Sequence, residues 1–157
     1  MAALLACAMM LGCVNIDGGA VELSWTVHDT SGRTVECKDI GLAEVELTCL
    51  TVPELGEAVQ LEPCRTGSGT ERGRNAWTCG RLGGSTAFDI APGNRQFRIS
   101  AVCRSGSPAA ETRYPDPILR DVVEGEVVQL NALLIEVRDT GLACPGESAL
   151  IPQSETG

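Results

Sequence analysis

The chain of 157 residues has little of what catalytic and nucleic-acid-binding proteins usually rely on. It carries one histidine, His28, so a histidine–nucleophile pair has a single candidate base. The alternation around His28 puts it on the polar face of a strand beside a turn, where it reads as a surface histidine outside any converging site. There is no Gly-x-Ser-x-Gly motif and no Cys-x-x-Cys pair. With only one imidazole, the usual zinc spacings are therefore excluded. Basic residues are scarce, 12 Lys and Arg against 21 Asp and Glu, for a net charge of −9. That balance disfavours nucleic acid and anionic lipid surfaces, both of which need clustered positive charge. Aromatic side chains number five, Trp25, Trp77, Phe88, Phe97 and Tyr114, so a core must come mostly from Val, Leu, Ile and Ala. No apolar run approaches the ~20 residues of a membrane-spanning helix. The residues are nonetheless 43% hydrophobic, enough to exclude disorder by composition.

Cysteine is what the chain has in abundance, at positions 7, 13, 37, 49, 64, 79, 103 and 144. With metal spacings absent, scattered thiols in this number point to disulfides and an oxidising compartment. Residues 2–11 form an apolar run that suits the h-region of an export signal. The run ends in Met10-Leu11-Gly12-Cys13, which resembles the lipobox of bacterial lipoproteins: apolar residues, a small residue, then an obligatory cysteine. One departure is the missing basic n-region, since the first Lys or Arg is Arg33; a true start upstream of Met1 would supply it.

The resemblance implies definite chemistry. A diacylglyceryl group is added to the Cys13 thiol, the leader is cut before Cys13, and the new amine is acylated. This covalent acyl lipid is the only cofactor expected. It would hold the protein to a membrane, stably once two or more chains are present. Val14 stands where an inner-membrane retention signal would carry Asp, which by the family's sorting rule implies an outer-membrane lipoprotein, facing the periplasm or the surface. Cysteine arithmetic agrees. Cleavage removes Cys7 and lipid occupies Cys13, which leaves an even set able to pair.

The organisation expected is a signal peptide over 1–12, a lipidated tether over 13–19, a β-domain over 20–140 and a tail over 141–157. Val21, Leu23, Trp25 and Val27 alternate with Glu22, Ser24, Thr26 and His28, a period of two with one wet face. Asp29-Thr30-Ser31-Gly32 is hairpin-turn chemistry, with 33–38 as the return strand. Alternation recurs over 43–50, 58–62 and 97–103, with a short strand over 77–81, a Gly83-Gly84 turn, a Pro92-Gly93-Asn94 turn and a closing strand over 127–137. Residues 105–117 read as a long loop. Seven or eight short strands separated by Gly and Pro turns argue for a single antiparallel β-sandwich.

The strand, Ala91-Pro92-Gly93 turn and alternating strand between residues 84 and 103 resemble carboxypeptidase regulatory-like and transthyretin-like modules. The layout Cys37, Val45-Glu46-Leu47, Trp77-Thr78-Cys79, Ala91-Pro92-Gly93 also resembles Ig-like lipoproteins of Gram-negative soil bacteria, myxobacteria especially. Both resemblances imply a disulfide-braced sandwich and a non-catalytic accessory or adhesion unit. Six cysteines allow fifteen connectivities, and the sequence alone does not choose among them. The resemblance favours Cys37 with Cys79. Cys49 and Cys64 fall on neighbouring expected strands, and Cys103 with Cys144 would then tie the tail to a core strand.

For chemistry, the acidic residues around Asp116, Asp121, Glu124, Glu126 and Asp139 lack calcium-loop spacing and read as solvated loops. The arginine-rich loop containing Arg65, Arg72 and Arg74, followed by Arg81, stands out against the acidic background as a candidate binding loop for an acidic partner such as a surface polysaccharide, the plainer reading being an exposed loop whose arginines pair locally. The resulting expectation is a non-enzymatic envelope lipoprotein that binds an envelope protein or glycan, or serves as a structural unit, with no metal and no nucleic acid. An exported hydrolase and a secreted binding protein without lipid are the alternatives the residues leave open.

Overall fold

The computed structural model describes residues 16–53, 62–64, 74–138, 140 and 143–144. The export signal, the lipidated Cys13 and most of the tail lie outside the described residues, as do most of the expected strand over 58–62 and Arg65 and Arg72 of the arginine-rich loop.

Among the described residues, nine strands form two sheets. In chain order they are β1 (Ala20–Asp29), β2 (Leu42–Thr51), β3 (Glu62–Pro63), β4 (Arg74–Thr78), β5 (Gly83–Ser85), β6 (Gly93–Cys103), β7 (Thr112–Arg113), β8 (Ile118–Val122) and β9 (Val127–Val137). One sheet has the order β5-β1-β9-β7. The other runs β3-β2-β6-β8, with β4 beside β3 along the same edge of β2. The fold is an all-β sandwich, braced by three disulfides.

The long strands form where the period-two pattern is clean. In β1 the inward residues Val21, Leu23, Trp25 and Val27 are buried while Glu22, Ser24 and Thr26 face water. In β6 the inward series is Arg95, Phe97, Ile99, Ala101 and Cys103. Trp25 and Phe97 are the largest fully buried side chains, and Leu47, Ile90, Leu130 and Ile135 pack with them in one continuous core. Two ring systems thus do much of the filling in a core otherwise made of aliphatic side chains, and truncating either to alanine would cost ~3–5 kcal/mol.

Four details depart from the sequence reading. First, not every pair is antiparallel: β1 and β9 run parallel from Ala20↔Val127 to Asp29↔Val137. Parallel neighbours need a long crossover, and here the rest of the domain supplies it. Second, the return of the first hairpin shrinks to a single bridge, His28↔Thr34, because the chain is drawn away into a 3-10 turn at Cys37–Ile40. Third, Gly83-Gly84 is not a turn but part of β5, which pairs with Glu22–Ser24. A Cβ on Gly84 would enter the Trp77 ring, so glycine is what lets this edge strand lie against the indole. Fourth, the expected 77–81 strand is β4 followed by a 3-10 turn at Cys79–Arg81, and β8 emerges from a region that gave no clear strand signal.

Candidate functional site

The two ends of the sandwich differ. At one end the chain enters. Gly19 and Ile90 exchange backbone hydrogen bonds, Ala20 N–H donates to Glu126 O, and Gly125 N–H donates to Gly18 O. Gly19 lies against Val122 and Val123 so closely that an added Cβ would be 2.6 Å from each. Beside it, Arg95 turns its guanidinium back on its own turn, donating to the carbonyls of Ala91 (3.0 Å), Asn94 (3.1 Å) and Pro92 (2.6 Å). Burial pulls Arg95 below the usual guanidinium value, with Asp121 opposing. This end is closed by backbone and by a spent arginine.

The opposite end is open and carries two clefts. The first, of about 710 Å³, is bounded by the Asp29–Gly32 turn, Glu36, Asp39, Ile40, Val137 and Arg138. Asp29 shapes it. Its Oδ1 accepts from Ser31 N–H (2.9 Å), Ser31 O–H (2.6 Å) and Arg33 N–H (3.1 Å), and its Oδ2 accepts from Arg33 Nε and Nη2. The Ser31 hydroxyl, then the Arg33 contacts, hold this carboxyl well below the usual carboxylate range, against desolvation. Such a carboxylate is ionised and fully engaged in fixing the turn, which unfits it for acid–base work.

The second cleft, of about 680 Å³, lies between the Cys37–Ile40 turn, the start of β2 and the Cys79–Arg81 turn, with Val35, Leu42, Leu82, Lys38 and Arg104 among its walls. Thr34, Val35 and Glu36 line both clefts and form the ridge between them. The Cys37–Cys79 bridge pins the ridge to the far wall. Lys38 pairs with Glu36 at 2.7 Å, an exposed contact whose hydrogen bond raises the lysine pKa. Arg104 donates to Lys38 O at 3.2 Å. On the rim sits Leu82, 52% exposed and left-handed with φ 58°. Leucine rarely adopts that conformation. The cause lies underneath: the buried Trp25 donates its indole N–H to Cys79 O at 2.9 Å, Leu82 N–H donates to the same oxygen, and Leu82 O accepts from Trp25 N–H. These bonds hold the Leu82 backbone in place with its side chain on the rim.

The six cysteines stand as Cys37–Cys79, Cys49–Cys64 and Cys103–Cys144. Of the candidate arginines, Arg65 and Arg72 lie outside the described residues, and the backbone separates the other two. Arg74 opens β4 opposite Thr48, while Arg81 lies in the turn beyond the other end of that strand. His28 is on the outer face of β1, with its Nε2 at 3.4 Å from the Thr34 hydroxyl and with Glu136 as its neighbour across the β1–β9 pair. Among the described residues, no three His, Cys, Asp or Glu side chains group as a metal site, and no helix is long and apolar enough to cross a membrane. The double cleft is the feature that sequence reading missed. Its walls come from four separate segments, and only the turn chemistry of Asp29–Gly32 was visible beforehand.

No family model matches the chain, and no curated protein matches it. Among solved structures, two crystal structures of the pilus-presented adhesin Spy0125 (Cpa) are similar to it. The TM-scores are 0.30 and 0.32, with 12% and 10% identity over 78% and 80% of this chain. The chain spans only 28% and 27% of those adhesin chains. Overlays of that quality carry no argument for a shared role, and the sandwich rests on the sheets described above.

Proposed function

We propose that this protein is a non-enzymatic envelope lipoprotein, held by acyl lipid on Cys13 to the outer membrane, whose β-sandwich acts as a binding or structural module. The observation that carries the reading is the polarity of the domain. The tether joins at the closed end, beside Gly19 and Ile90, whereas both clefts open at the opposite end around the Cys37–Cys79 bridge. A module anchored at its N-terminal side would hold its clefts away from the membrane, toward a protein or glycan partner. Three disulfides support an oxidising compartment. They occupy every cysteine from Cys37 onward, which leaves Cys13 available for lipid. The engagement of Asp29 within its own turn, and of Lys38 with Glu36, supports binding rather than catalysis at the open end.

Intact-mass analysis of the protein purified from membranes tests this reading. The expected species begins at Cys13, carries two or more acyl chains, and is lighter by the six hydrogen atoms removed in oxidising six thiols to three disulfides. A species of unmodified mass with its leader uncut and its thiols reduced overturns it. A cleaved species without acyl mass, recovered from the medium, would instead establish a secreted protein without an anchor.

A further inference from the structure

We propose that the domain is a load-bearing unit, built to resist force applied between its N-terminal, closed end and its open end and to limit how far it can extend if it yields. This goes beyond the anchoring reading and holds whether or not lipid is attached. The first observation is the parallel pairing of the first and last strands. β1 and β9 stay in register from Ala20↔Val127 to Asp29↔Val137, with one shift near Glu22. Residue 20 lies at the closed end and residue 137 at the open end. Pulling the chain from its N-terminal side against the open end therefore loads the strands along their length in opposite directions. In this shear geometry the evenly spaced hydrogen bonds of the parallel ladder share the load and must fail together. Had β9 run antiparallel to β1, both strands would be pulled from the same end of the ladder, and the bonds would open one after another.

The second observation is how the bridges partition the chain. Cys37–Cys79 encloses Cys49–Cys64, so everything between residues 37 and 79 is bypassed under tension. Cys103–Cys144 bypasses the span from 103 to 144. After β1 is torn free, the covalent path can lengthen only through the segment before Cys37, the segment from 79 to 103, and the few residues between 144 and 138. With residues held at 16 and 138, that is about 50 residues, on the order of 170 Å when fully extended, against about 120 residues and ~400 Å for a reduced chain. The bridges at the open end thus leave β1 free to bear load while keeping β2, β3 and β4 out of the extending path.

Single-molecule pulling on the full oxidised chain tests both parts. Handles are attached through azido side chains introduced at exposed positions, which leaves the cysteines untouched. One preparation carries them at Ile16 and Arg138, so that the pull shears β1 against β9; the other carries them at Ile16 and Val127, at the same end of the pair, so that the pull peels it. Forced unfolding reports the unfolding barrier along the pulled direction, and the shear geometry is expected to rupture at about twice the peel force or more at equal loading rate. Reduction of the Ile16–Arg138 preparation is expected to more than double the length released. Equal rupture forces in the two geometries overturn the load-bearing claim. Equal released lengths before and after reduction overturn the limit on extension.

Discussion

At the residue scale, the side chains that attract attention as chemistry turn out to hold backbone. Asp29 accepts five hydrogen bonds from Ser31 and Arg33, and Arg95 spends all three guanidinium nitrogens on carbonyls of its own turn. Both answer the same need: tight turns leave backbone groups without strand partners, and a nearby charged side chain satisfies several at once. Asp29 makes this measurable through pH. Its folded pKa is depressed, so its contribution is fully present above the ordinary carboxylate value near 3.8 and is lost as pH falls below it. Denaturant titrations are expected to show the wild-type protein losing stability on acidification below about pH 4, and Asp29→Asn showing a shallower loss over the same range. An identical acid limb in both proteins would remove Asp29 from the account. His28 on the outer face of its strand, and Asp116, Asp121, Glu124 and Glu126 in water, were legible from alternation and charge alone. Leu82 was not, because its left-handed backbone caps a 3-10 turn that is docked on Trp25, a residue far away in sequence.

At the element scale, β1 with its clean period-two pattern was readable in place, as was the apolar closing run that forms β9. The readings failed where a strand is short or its pattern is set by a neighbour. β5 is Gly-Gly-Ser, a turn by composition, and becomes a strand only because β1 and Trp77 are there to receive it. In β8, Leu119 faces solvent and only Val122 is buried, so no alternation announces it. β9 also hides a bulge. The register slips by one between Gln129 and Ala132, and Asn131 in between adopts φ 60°. Asparagine tolerates the left-handed region better than most side chains, and glycine better still. Asn131→Gly is expected to stay within ~0.5 kcal/mol of wild type, and Asn131→Val to lose ~1–2 kcal/mol. Chemical denaturation of the two variants checks the order, and equal stability of Val and Gly here would show that the bulge relaxes freely.

At the scale of the whole molecule, the bridges tie together segments far apart along the chain. Cys37–Cys79 links two 3-10 turns across the open end, and Cys103–Cys144 fastens the segment after β9 to the end of β6. The double variant Cys37→Ala/Cys79→Ala is expected to lose ~2–4 kcal/mol, the range for closing loops of this size, with the sandwich retained. The shift in denaturation midpoint measured under oxidising conditions gives the value. Under reducing conditions the difference from wild type should vanish. A persistent difference there would mean that packing around the sulfurs, rather than the crosslink, sets the cost.

The sequence by itself determined the class of the molecule. Period-two alternation, scarce aromatics, frequent Gly and Pro turns and an even set of cysteines after residue 13 permit a disulfide-braced β-domain and little else, because strand faces and crosslinks are written locally or by count. Tertiary structure alone decided which strands are neighbours, that the first and last run parallel, and that two clefts open opposite the tether. Those are relations between residues far apart along the chain. The packing of Trp25, Phe97 and their neighbours in one core sets them, and no local pattern encodes them.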